Sequence, residues 1–140
     1  MAGETFSKIF YWEIEVDKLH VSLASTDMGA ARVGIGLEQK TDGASFFRSW
    51  FPHATLYREQ KANIPLIRAV RRAVQGKTVG PLNMDLRLTN FQHRVLKAIA
   101  RIPFGKTMTY GNVAGMIGKP KACRAVGQVM GKNPLPLIYP

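Results

Sequence analysis

Thr109-Tyr-Gly-Asn-Val-Ala-Gly-Met-Ile-Gly-Lys-Pro-Lys-Ala-Cys-Arg-Ala-Val-Gly-Gln-Val-Met130 is the most telling stretch of this chain. Its first part, from Thr109, starts a short helix that Gly118-Lys-Pro ends. Pro120 suits the opening of a second helix, Lys121 to Met130, closed by Gly131-Lys-Asn-Pro. Two short helices joined by a tight glycine-containing turn make a helix-turn-helix, whose second helix ordinarily enters the major groove with its first residues facing the bases. Ala122, Ala125 and Gly127 are small enough to let that helix approach a duplex closely. Many all-helical proteins contain such a pair, so the pattern alone leaves a purely structural role open.

Working back along the chain, Thr89 or Asn90 can cap a helix whose Phe91, Val95, Leu96, Ile99 and Ile102 form one apolar stripe, broken by Pro103-Phe-Gly-Lys. Charge adds to the nucleic-acid reading. Leu86 to Pro140 holds nine Lys or Arg and no Asp or Glu, so the net +11 divides as +2 before this segment and +9 within it. A folded half carrying one sign of charge makes a field that draws in a polyanion; the blander alternative is a solubility feature.

The first half reads as a small mixed α/β unit. Leu19 to Ser25 alternates apolar and polar residues as a half-buried strand, Thr26 to Ala31 as a turn, and Arg32 to Leu37 as the hairpin partner. Two glycines in that partner suggest a bulge or a close backbone approach. The aromatic-rich Ser45 to His53 reads as a third strand or a buried loop. Ile64 to Val74 is a helix, with Pro65 in its first turn and Gly76 beyond its end. Met84 to Leu88 alternates as a short strand. The expected fold class is α+β, divided at residues 1–88 and 89–140.

With 46% apolar and 21% charged residues the chain is globular, and no apolar run approaches the ~20 residues that cross a bilayer. The N-terminus lacks a signal-peptide pattern, and the single Cys123 fits a reducing compartment, so a cytoplasmic location is expected. His20, His53 and His93 lie far apart with no cysteine pair, so no metal site is expected.

Three segments occur together in one order: Ile102-Pro-Phe-Gly-Lys-Thr-Met-Thr-Tyr-Gly-Asn-Val-Ala114, Ala122-Cys-Arg-Ala-Val-Gly-Gln-Val-Met130 and Asn133-Pro-Leu-Pro-Leu-Ile-Tyr-Pro140. They closely resemble the DNA-binding half of the O6-alkylguanine-DNA alkyltransferases, the methylated-DNA–protein-cysteine methyltransferases. The resemblance is strong over Thr89–Pro140 and weak before it, where it implies an RNase H-like subdomain. It also implies use of the helix-turn-helix in the minor groove. Tyr110 then resembles the tyrosine that crowds the target's 3′ phosphate and helps rotate the nucleotide out. Arg124 resembles the finger that fills the vacated stack, with Thr109, Lys121, Ala122, Ala125 and Gly127 around it on DNA. Asn133 resembles the residue that ends the recognition helix and holds the following loop; with Pro136, Tyr139 and Pro140 it would shape the base pocket. Each has a plainer reading: Tyr110 as helix packing, Arg124 as one more phosphate contact, Asn133-Pro as a helix stop. Cys123 falls beside Arg124, where the family often has alanine, and reads as an incidental thiol.

In the family the reactive cysteine follows this last proline at once, then histidine and arginine. No catalytic residue is therefore assigned within residues 1–140, and the helical half is expected to be incomplete, leaving Leu135, Leu137 and Ile138 without cover. Three expectations compete: a truncated sequence, a non-catalytic lesion binder, or an in-frame UGA encoding selenocysteine at the acceptor position. The combined expectation is a monomeric, cofactor-free DNA-repair protein. It would bind duplex DNA containing O6-alkylguanine, flip the base and, when complete, transfer the alkyl group to its own cysteine or selenocysteine. The alternative is a non-catalytic lesion-binding or DNA-binding regulatory module.

Overall fold

A computed structural model describes residues 5–36, 42–103 and 105–139. The fold is α+β and divides into two compact units, one containing the chain up to Arg87 with Pro134–Ile138, the other Leu88–Asn133 with Tyr139.

The first unit is built on a four-stranded sheet of order β3-β2-β1-β4. Strands β1 (Lys8–Val16), β2 (Leu19–Thr26) and β3 (Gly29–Gly36) form an antiparallel meander, and β4 (Thr55–Arg58) joins β1 in parallel. Neither β1 nor β4 alternates over its full length, although Trp12-Glu-Ile-Glu-Val16 at the end of β1 alternates apolar and acidic residues. The β1 segment Lys8-Ile-Phe-Tyr-Trp-Glu-Ile-Glu-Val is nonetheless dense in strand-forming residues. The second hairpin is tighter than expected: Thr26 pairs with Gly29, leaving Asp27-Met28 as the turn, and β3 starts three residues before Arg32. The register shift falls between Ala24 and Ser25. Close approach is met at Gly34, where a Cβ would lie 2.4 Å from the ring of Phe46.

That ring belongs to helix α1 (Gly43–Trp50), so the aromatic segment is helical rather than strand or loop. Phe46, Phe47, Trp50 and Phe51 fall at i, i+1, i+4 and i+5, one side of a helix. Two acids secure its start: Asp42 accepts from the Ala44 N–H at 3.2 Å, and Glu13, from the sheet, accepts from the Gly43 N–H at 3.0 Å. Phe47 is fully buried in a cluster with Ile9, Ala24, Ala31 and Phe51. At one helical turn's remove, the guanidinium of Arg32 lies 3.3 Å over the Trp50 ring. Burial lowers its pKa to about 10, so it remains a cation at neutral pH.

Helix α2 (Ile64–Val74) follows a short 3-10 turn, Lys61–Asn63, and buries Leu66, Ala69 and Val70. Fully buried Asn63 ties its start to the sheet, donating through Nδ2 to the carbonyls of Phe10 (3.1 Å) and Glu59 (2.9 Å). Both α1 and α2 pack on β1 and β2, and β2 is buried without alternation from Val21 to Ser25, as expected for a strand covered on both faces. Met84–Leu88 is not a strand. Met84 makes a single parallel bridge to Ala30, and the segment is held instead by Asp85, which accepts from Thr26 Oγ1 at 2.7 Å and pairs with Arg87 at 3.0 Å.

Pro134–Ile138 belongs with this unit rather than with the helices. The Val33 N–H donates to the Pro134 carbonyl at 2.7 Å, and Leu135 is 0% exposed. The expectation that Leu135 lacks cover is therefore wrong; Leu137 and Ile138 are half-buried.

The second unit consists of α3 (Asn90–Ala100), α4 (Tyr110–Met116) and α5 (Cys123–Gly131). Thr89 and Gln92 form a reciprocal capping box at the start of α3, with bonds of 3.2 and 2.9 Å. The three helices bury Val95, Leu96, Ala98 and Ile99, then Val113, Ala114 and Ile117, then Val126 and Val129. No helix among the described residues is long and apolar enough to cross a membrane.

Candidate nucleic-acid interface

Helices α4 and α5 are the two limbs of the motif, packed on each other and on α3. Thr109 caps α4 by accepting from the Asn112 N–H at 3.0 Å, so the helix starts one residue later, at Tyr110. Gly118, with φ +76°, takes the left-handed conformation that ends it. Arg94 reaches from α3 to the carbonyl of Ile117, holding the last turn of α4 and satisfying one of its open carbonyls. Twenty-three residues separate that pair, and nothing in the sequence marks it.

Helix α5 begins at Cys123 rather than Lys121. The Ala122 N–H closes a turn on the Lys119 carbonyl at 2.9 Å, which leaves Lys121 exposed in the turn. Ala122 occupies the N-cap position and offers no side-chain acceptor. The first N–H groups of α5 are thus uncapped by a side chain and favour an anion. Arg124, in that first turn, is exposed. Gly127 lies three residues on, on the same face. A Cβ there would stand 3.2 Å from both Cδ2 and Cε2 of Tyr110, so the tyrosine ring rests against Gly127. Tyr110 is 49% exposed, and Arg124 is exposed one helical turn before the glycine that its ring meets. Ala125 and Ala122 are half-buried, and Cys123 is exposed.

The segment around these helices is basic. Lys97, Arg101, Lys106, Lys119, Lys121, Arg124 and Lys132 are all exposed, and Leu86–Pro140 supplies no carboxylate side chain to neutralise them.

Asn133, just after α5, donates through Nδ2 to the Tyr139 carbonyl at 2.6 Å, joining the two ends of the Pro134–Ile138 segment. Within that segment Leu137 has φ +77°, a conformation costly for a β-carbon-bearing residue, and Pro136 is half-buried. Burial raises the pKa of the Tyr139 phenol, keeping it neutral and able to donate. Pro140, also expected in the base pocket, lies outside the described residues. A cavity of about 530 Å³ in the first unit, between the Asp27-Met28 turn, the start of α2 and Pro81–Asn83, contains none of these residues. Among the described residues no group of three or more His, Cys, Asp or Glu is placed to hold a metal.

Residues 90–140 match the family model described as 6-O-methylguanine DNA methyltransferase, DNA binding domain. The methylated-DNA–protein-cysteine methyltransferase of Mycobacterium tuberculosis is 51% identical over 59 residues, covering 42% of this chain and 36% of the relative. That of Methanosarcina barkeri is 41% identical over 83 residues, covering 56% of this chain and 52% of the relative. The chain thus matches between about a third and a half of the length of these curated relatives. Structural likeness extends further. The crystal structure of Mycobacterium tuberculosis O6-methylguanine methyltransferase superposes with a TM-score of 0.71 at 31% identity, covering 94% of this chain and 75% of that one. A structure of Mycobacterium tuberculosis OGT in complex with DNA gives a TM-score of 0.70 at 32% identity, with 94% and 74% covered. Matching the family's DNA-binding domain over residues 90–140 and the relatives' fold over nearly its whole length, the chain belongs to the O6-methylguanine-DNA methyltransferase family.

Proposed function

We propose that this protein repairs DNA by direct reversal: it binds duplex DNA through α4 and α5, turns an O6-alkylguanine out of the stack, and presents it to an acceptor on its own chain. What supports the reading is the half-exposed Tyr110 ring against Gly127 and the exposed Arg124 one turn earlier on α5, at a helix start without a side-chain cap and in a segment that carries no acidic side chain. Phosphates bind Lys119, Lys121 and the first N–H groups of α5. Tyr110 crowds the phosphate beside the target, and Arg124 occupies the space the base leaves. Flipping a base costs roughly a few kcal/mol, and an inserted side chain with added backbone contacts offsets it. Asn133 and Tyr139 form part of the wall that receives the flipped base.

Where the chain continues as in the family, the acceptor directly after Pro140 completes the reaction. Its thiolate, or selenolate, attacks the alkyl carbon; a carbon–sulfur or carbon–selenium bond forms as the carbon–O6 bond breaks. Guanine departs with the electron pair and takes up a proton. No cofactor is consumed, and the acceptor is used once.

The flipping step is tested with a duplex carrying 2-aminopurine at the target position. Emission rises on binding as the base unstacks, and Arg124→Ala removes the rise. A saturated complex of the unaltered protein with unchanged emission overturns the reading. Transfer is tested by incubating the protein with benzylguanine and weighing it. An added benzyl mass supports the repair enzyme; flipping without added mass, in a form that extends past Pro140, indicates a lesion-binding module.

A further inference from the structure

We infer that Gly127 is a positioning residue for Tyr110, and that its lack of a side chain serves the tyrosine ring rather than the DNA backbone. The inference deepens the flipping role proposed for Tyr110 and rests on it. From the sequence, Gly127 reads as one of three small residues that let α5 approach a duplex. The packing of α4 on α5 shows another occupant. Two ring carbons of Tyr110, Cδ2 and Cε2, lie 3.2 Å from where a Cβ on residue 127 would stand. Carbon atoms pack optimally at about 3.5–4.0 Å, so even a methyl group would press on the ring edge.

Tyr110 is the first residue of α4, whose backbone Thr109 pins by capping and Arg94 pins from the other end. Deflection must therefore come from the tyrosine torsions. Gly127 also lies mid-helix in α5, where glycine costs about 1 kcal/mol relative to alanine. The second unit thus keeps a poor helix former at a place where alanine would otherwise strengthen the helix. The ring contact gives that choice a physical reason.

The other small positions differ. Ala122 and Ala125 already carry a Cβ, so the ring contact is a feature of residue 127.

The experiment is a double-substitution cycle with Gly127→Ala and Tyr110→Ala, read by 2-aminopurine emission and by affinity for undamaged duplex. A torsion forced ~30° from its preferred well corresponds to about two- to tenfold in an equilibrium, so Gly127→Ala should lower the flipping equilibrium by that factor. Affinity for undamaged duplex should change less than about twofold, and thermal stability should hold or rise, since alanine favours helix. In the Tyr110→Ala background, adding Gly127→Ala should change nothing further.

Equal loss of affinity for all duplexes, persisting without the tyrosine, would assign residue 127 to DNA approach and overturn the inference. Gly127→Ala with unaltered flipping, in a protein whose Tyr110→Ala form no longer flips, also overturns it while sparing the flipping role. If Tyr110→Ala itself flips normally, the proposed function of Tyr110 fails, and the inference falls with it.

Discussion

Lys119 and Lys121 stand exposed in the turn between α4 and α5, in a segment without acidic side chains. Replacing both with alanine removes two cations from the proposed phosphate-binding surface while leaving the turn's backbone bond, from the Ala122 N–H to the Lys119 carbonyl, in place. Each phosphate contact contributes about −0.9 to the slope of log affinity against log salt, so the double substitution should make that slope shallower by about 1.8. At about 0.1 M salt, one decade below the ~1 M reference at which the counterion contribution vanishes, this corresponds to roughly 60-fold weaker binding, or ~2.4 kcal/mol. Fluorescence anisotropy on a labelled duplex, across a salt series, measures both quantities. The loss should be the same for any duplex sequence, because phosphate contacts carry no base information. Lys18→Ala, at the exposed β1–β2 turn, provides a control that leaves the slope unaltered. A double variant with the original slope would show that these lysines do not meet phosphate, and the docking of this helix pair would have to be abandoned.

Two further predictions concern the fold. Phe47→Ala removes a fully buried ring from the cluster under α1 and should cost about 3–5 kcal/mol in urea unfolding; a loss below about 1 kcal/mol would contradict the packing described. Tyr139 is the second. Burial raises its phenol pKa above the ordinary 10.0, so above that pH the unfolded chain ionises first. Its contribution to stability is present below pH 10 and is lost as pH rises toward the folded-state value. Phenolate absorbance should show a step above pH 10 that Tyr139→Phe deletes; an unchanged high-pH titration in Tyr139→Phe would refute the burial.

The helical elements were the most legible, because their ends are written in local chemistry. Pro65 and Gly76 bracket α2, and Thr89 and Thr109 start α3 and α4. The sheet was harder. Strand β1 alternates apolar and acidic residues only over Trp12-Glu-Ile-Glu-Val16; its first part, Ile9 to Trp12, is continuously apolar and aromatic, which hides the period of two there. Helix α1 was obscured by its aromatics, which favour strands in isolation; its start depends on Glu13, thirty residues earlier. Met84–Leu88 has the alternation of a strand but lacks a neighbour to pair with beyond the bridge at Ala30. In the candidate site, Tyr110 and Arg124 could be named from motif alone, whereas the seat at Gly127 and the hold of Arg94 on Ile117 exist only once the helices are packed. Local sequence marks where helices start and stop; it does not say what lies across from them.

The central claim is that Arg124 takes the place of an extruded guanine. The most direct measurement is a crystal structure of the protein bound to a duplex containing O6-methylguanine. The account predicts the lesion outside the stack, with the Arg124 side chain between the flanking bases and the Tyr110 ring against the adjoining phosphate. A complex with every base stacked and Arg124 directed to solvent would contradict it.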